Sequence, residues 1–133
     1  MLDARDLTDR PFGCPPDIVL DIPLPPSVNR TRKIDYAAAA EVEDWKRRTD
    51  LVLMAHGQYR AAKKAALDRF EITIILSEQD CPLDLDNPIK AAIDYLRRIE
   101  LIKNDDKRYM RRIVVEWGEA PEGCRLVLRG VAA

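Results

Sequence analysis

The chain has 133 residues, of which 47% are hydrophobic and 34% charged, enough for one domain with a buried core. That balance excludes a disordered chain, and no stretch approaches the roughly 20 apolar residues of a membrane span. The net charge of −1 excludes nucleic-acid binding by bulk electrostatics, so any contact with a polyanion must come from local basic clusters.

Residues 1–16 hold Pro11, Gly13, Pro15 and Pro16 without periodicity and read as a flexible arm on a single 1–133 domain. The first residues carry Asp3, Arg5 and Asp6 and no apolar core, which is not the pattern of a signal peptide, so a cytoplasmic location is expected. Ile18-Val19-Leu20-Asp21-Ile22 predicts the first strand. Pro23, Pro25 and Pro26 end it by removing ladder donors, and an extended loop carries the chain through Asn29, Arg30, Arg32 and Lys33.

A helix is predicted from Tyr36 or Ala37 to about His56. Ala38, Val42, Trp45, Thr49, Val52 and His56 are spaced alternately four and three apart and define one face. Leu51, Leu53 and Met54 widen the apolar surface, which suits either burial against a second subunit or a wholly internal core. Gly57 is a plausible stop, and Gln58 to Asp68 is helical in composition without a clear attachment. Phe70 to Leu76 alternates and predicts a strand.

The next stretch, Asp84-Leu85-Asp86-Asn87-Pro88-Ile89-Lys90, organises the rest. If it is extended, the carboxylates of Asp84 and Asp86 lie on the same side. Asn87 as N-cap and Pro88 as first helical residue then start a helix, with Lys90 at its third position. Ile89, Ala92, Ile93 and Leu96 make its buried face, while Lys90, Asp94 and Arg97 share another. A surface ion pair between Lys90 and Asp94 is the competing explanation for the lysine.

Asp105-Asp106 follows. A helix over 88–98 carries the chain roughly 16 Å away at 1.5 Å per residue. An extended 99–104 segment covers a similar distance back at about 3.3 Å per residue, so these acids can rejoin the first pair only if the helix ends near Arg98. Arg112 to Trp117 and Arg125 to Arg129 predict two further strands, joined through Gly118 to Gly123 as a closing β-hairpin. The expected order is β-α-β-α-β-β, an α+β fold with a mixed sheet and helices packed on it.

Clustered oxygen ligands without His or Cys suit Mg²⁺, or Mn²⁺, held by few carboxylates together with water and phosphate oxygens. Such an ion polarises a phosphodiester, lowers the pKa of its bound water and steadies the leaving oxygen. Lys90 would neutralise charge on the phosphorane or orient the attacking water. Cys14, Cys81 and Cys124 show no close pairing and read as reduced thiols, and the single His56 leaves little for a Ser-His or Cys-His mechanism. Lys46, Arg47 and Arg48 read as solvated surface. Arg30, Arg32 and Lys33, and the later Lys107, Arg108, Arg111 and Arg112, are candidate phosphate contacts.

Leu24-Pro25-Pro26-Ser27-Val28-Asn29-Arg30, then Asp84-Leu85-Asp86-Asn87 with Lys90 and Asp94, then Asp105-Asp106 before a strand, resemble the RusA-type Holliday junction resolvases. These are small endonucleases of bacteria and their phages, and order and approximate spacing agree over about 95 residues, roughly Ile22 to Trp117. The resemblance implies a RusA-like fold and a Mg²⁺-dependent homodimer that cuts four-way DNA junctions by paired nicks. It implies metal carboxylates at Asp84, Asp86 and Asp106 and a catalytic Lys90, and it favours Asn29 and Arg30 being carried toward DNA; Arg32, Lys33, Lys107 and Arg108 join them as expected DNA contacts from the basic clusters alone. The span after Asp94 is slightly long and lacks a glycine, which leaves Asp105 and Asp106 as alternative ligands. Two other functions stay open: an inactive protein that binds branched DNA, and a nuclease for flaps or other branched DNA.

Overall fold

The computed structural model describes residues 17–26, 36–65, 67–82, 84–86 and 88–131. Its elements are β1 (Ile18–Pro23), α1 (Tyr36–Ala55), α2 (Gln58–Ala65), β2 (Phe70–Leu76), α3 (Ile89–Arg98), β3 (Met110–Trp117) and β4 (Gly123–Gly130). The strands form one mixed sheet in the order β1-β4-β2-β3, so the fold is α+β. The order differs from the expected one by α2. Gly57 takes a positive φ of 69°, which ends α1, and the chain restarts as a short second helix at Gln58.

β2 is the centre of the sheet and shows why its alternation was readable. Phe70, Ile72, Ile74 and Leu76 are buried and alternate with half-buried Glu71, Thr73 and Ile75. Register places Leu128, Leu126 and Cys124 of β4 beside Ile72, Ile74 and Leu76, and Ile18, Leu20 and Ile22 of β1 beside those. Opposed residues share a face, so these side chains make one apolar surface. Trp45 and Leu53 of α1 and Ala92, Ile93, Tyr95 and Leu96 of α3 complete the same core. The opposite face is polar at its β1–β4 end, where Arg125 pairs with Asp21 at 2.8 Å and Arg129 with Asp17 at 3.2 Å.

On α1 the buried line is Trp45, Thr49 and Leu53, with Val42 and Val52 half-buried and His56 exposed just past the helix end. Thr49, a buried hydroxyl, donates to the Trp45 carbonyl at 2.7 Å, and the Trp45 indole donates to the Pro23 carbonyl at 2.8 Å. Both buried donors are thereby satisfied. Leu51 and Met54 remain exposed.

The expected closing hairpin is not formed. β3 pairs with β2 in parallel, β4 pairs with β2 antiparallel on its other side, and β3 and β4 are not neighbours. The connection from Gly118 to Glu122 steps over the end of β2: the Gly118 amide donates to the Leu76 carbonyl, and the Ser77 amide donates to the Gly123 carbonyl. A parallel pair needs a crossover, and α3 supplies it between β2 and β3.

α3 ends at Arg98, the condition set by the chain-length argument. The Glu100 amide donates to the Arg97 carbonyl and the Leu101 amide to the Leu96 carbonyl, both at 3.1 Å, with Glu100 at φ 63°. This is a Schellman motif with Glu in the left-handed position, and Leu96 and Leu101 supply its buried apolar pair. Leu101 and Lys103 then bracket Leu67, whose amide donates to the Leu101 carbonyl and whose carbonyl accepts from the Lys103 amide.

Candidate active site

Asp84, Leu85 and Asp86 enter α3 through a turn at Leu85 and Asp86, not through the extended segment expected. The outcome for the side chains is similar. Leu85 packs against the core, and Asp84 and Asp86 on either side of it are exposed. Pro88 stands at the helix cap with φ −85° and ψ −2°, and its carbonyl accepts the Ala92 amide at 3.2 Å. Lys90 is therefore the second helical residue and not the third, a shift of one position. Asn87, the expected cap, lies outside the described residues.

Lys90 is exposed, and among the described residues it makes no ion pair with Asp94. Asp94 instead lies 3.9 Å from Arg97. Asp84 and Asp86 likewise have no hydrogen-bond or ion-pair partner among the described residues. Two carboxylates and one ammonium, all exposed and without a partner among the described residues, thus lie at or just before the start of one helix. The unpaired amides of a helix start favour negative charge nearby, which offsets part of the cost of holding the two acids there.

The later acids have different surroundings. Asp105 lies 3.7 Å from Arg97, so Arg97 bridges the return segment to Asp94 on α3. Asp106 is tied into its own turn. Its carboxylate accepts the Arg108 amide at 2.9 Å and the Arg108 guanidinium at 2.9 and 3.3 Å, and its carbonyl accepts the amides of Tyr109 and Met110. Asn104 also donates to the Asp106 carboxylate at 3.3 Å. The hydrogen bonds from Arg108 hold the Asp106 carboxyl below the usual carboxylate range.

Among the described residues, no group of three or more His, Cys, Asp and Glu side chains is close enough to hold a metal ion. Among the described residues, then, no three of Asp84, Asp86, Asp105 and Asp106 form such a group. The donor chemistry still matches a hard cation, and Mg²⁺ commonly takes only one or two protein carboxylates, filling its remaining positions with water and phosphate oxygens. Asp84 and Asp86 supply that number of carboxylates, both exposed.

Sequence reasoning missed the Arg97 bridge. The shared face of Asp94 and Arg97 was legible from their i, i+3 spacing, but the reach of Arg97 to Asp105 was not. Of the expected DNA contacts, Asn29, Arg30, Arg32 and Lys33 lie outside the described residues. Lys107 and Arg108 are exposed beside the Asp105–Asp106 turn, although Arg108 is committed to Asp106 and stacks 5.3 Å over the Tyr109 ring. The Lys46–Arg48 cluster is surface, as expected, with Lys46 paired to Glu43 and Arg48 to Asp44. An open cleft beside the β2 and β3 C-termini is lined by Glu78, Asp80, Glu119 and Trp117, a poor seat for phosphate. Burial pushes the Cys124 thiol up to about 12, which makes it inert. No described helix is long and apolar enough to cross a membrane.

A scan against protein-family models finds no match to the chain, and a search of curated proteins finds none.

Proposed function

We propose that this protein is a Mg²⁺-dependent endonuclease of branched DNA, acting on four-way junctions as a homodimer of bacterial or phage origin. The observation that carries the reading is the set Asp84, Asp86 and Lys90 at the start of α3, exposed and without partners among the described residues. An acid one turn on can pair with a helical lysine, yet Asp94 lies against Arg97 and Lys90 has no ion-pair partner among the described residues. The order of motifs shared with the RusA-type resolvases supplies the substrate class.

Mg²⁺ at Asp84 and Asp86 would supply Lewis-acid stabilisation of a phosphodiester under attack. The two carboxylates would bind and orient the ion, and the start of α3 lowers the cost of keeping them charged together. The Lys90 ammonium, in the first turn of the helix, meets the negative charge that builds on the phosphoryl oxygens. Two such sites related by a twofold would match the symmetry of a junction and nick opposed strands alike.

Asp86→Asn tests the reading. On a synthetic four-way junction with Mg²⁺, the variant should lose cleavage by at least about a hundredfold, a typical cost for removing a group that stabilises charge in the transition state. It should keep the melting temperature and junction binding of the parent. Cleavage at the parental rate would remove Asp86 from the chemistry. A flap and a linear duplex in the same assay separate the alternatives: cutting of the flap alone points to another branched-DNA nuclease, and binding without cutting by the parent points to an inactive binding protein.

A further inference from the structure

β3 is an edge strand with no protein partner on its outer side among the described residues. Its regular part, Arg112 to Trp117, follows a register shift between Phe70 and Glu71 of β2. Ile113, Val115 and Trp117 stand beside Ile72, Ile74 and Leu76 and so face the helix layer, yet Ile113 and Trp117 are 39% and 38% exposed. Arg112, Val114 and Glu116 face the other way. Arg112 and Glu116 are exposed, and among the described residues neither has an ion-pair partner, although Glu71 is the in-sheet neighbour of Arg112. Proteins usually blunt a long edge with charges, proline, a bulge or a covering element; here the bulge falls at Arg111, which donates to the Lys107 carbonyl, and the regular part beyond it carries one charge of each sign.

We infer that the β3 edge pairs antiparallel with the β3 edge of a second copy of this chain, centred on Val114, continuing the sheet across a twofold. If the helix layers stay on one side, opposed residues must be ones that face the same way, so only registers centred on a residue are allowed. Centred on Val114, Arg112 lies opposite Glu116 twice, and Ile113 lies opposite Val115 twice. Centred on Ile113, Arg112 would face Val114; centred on Val115, Glu116 would face Val114. Only the Val114 register sets Arg112 and Glu116, the two charges of the regular part, opposite one another, and cross-strand pairs of this kind are what stabilise a sheet. The inference deepens the twofold part of the proposed function and rests on none of its cleavage chemistry.

Sedimentation of the full chain tests it. The parent should be dimeric at micromolar concentration. Arg112→Glu and Glu116→Arg, each of which sets like charges opposite one another twice, should each weaken the dimer about tenfold or more, and the double variant R112E/E116R should restore it to within about threefold. Val114→Cys, across the twofold from its own copy, should form an intermolecular disulfide on oxidation, which keeps the test decisive if a charge variant folds poorly. A monomeric parent overturns both this surface and the twofold reading. A dimer that ignores all three charge variants and fails to cross-link through Cys at 114 overturns the surface alone, and a dimer broken by Leu51→Lys in its place assigns the contact to α1.

Discussion

Glu100 holds a φ of 63°, a conformation that costs a side chain about 1 kcal/mol and costs glycine almost nothing. It persists because Leu96 and Leu101 are fully buried on either side of it and two backbone hydrogen bonds close the turn. Glu100→Gly should therefore stabilise the protein by about 0.5–1 kcal/mol, the relief of strain being partly offset by a freer unfolded chain. Glu100→Val, β-branched at positive φ, should destabilise it. Thermal melts of the three proteins check the order, with a rise of about 2–5 °C expected for the glycine variant. The missing glycine was legible in the sequence, but the stop itself was not, because its signal is a Leu–Leu pair five apart that also fits a continuing helix. Asp106 shows the same ambiguity. Asn104-Asp105-Asp106 reads as ligands when only acids are counted, and as a turn once the Asp106 carboxylate is seen holding the Arg108 amide.

α1 and α3 meet through a polar strut at the edge of the core. Tyr95 is fully buried, its ring 5.4 Å from that of Trp45 and edge-on, and its hydroxyl donates to Asp50 at 2.6 Å. Arg98 approaches the same carboxylate at 3.5 Å. Burial and then the bond to Asp50 raise the Tyr95 phenol well above its ordinary value. A raised acid of this kind contributes stability that is whole below the unfolded value near 10 and is lost as pH rises beyond it. Tyr95→Phe should thus lower stability by about 1–2 kcal/mol at pH 8. Melting temperatures of parent and variant should converge between pH 10 and 11.5, and a constant gap across that range would remove Tyr95 as the titrating group. The helical period identified Ile89, Ala92, Ile93 and Leu96 as the buried face, of which Ile89 is only half-buried, but not Tyr95. A tyrosine beside that apolar stripe reads as a rim residue until the partner helix brings an acid to its hydroxyl.

At the scale of the whole molecule, the strand positions were readable and their pairing was not. Alternation located β2 to the residue, because half-burial on each side of a sheet is written into every second side chain. Which strands lie side by side depends on where chain ends meet in space. A six-residue Gly-Glu-Ala-Pro-Glu-Gly link suits a local hairpin as well as it suits a step across an intervening strand. The step leaves its own mark at Gly118, where an added Cβ would stand 2.8 Å from the Ile75 Cγ2, on the strand being crossed. Gly118→Ala should then destabilise the fold by about 1–3 kcal/mol, the range for inserting a methyl into a filled site. In a background of Ile75→Ala, which removes the obstructing methyl, the same substitution should cost much less. A double-mutant cycle by urea unfolding measures the difference. A coupling near zero would mean that the link does not press on β2, and would weaken the sheet order β1-β4-β2-β3 on which both the crossover through α3 and the free β3 edge depend.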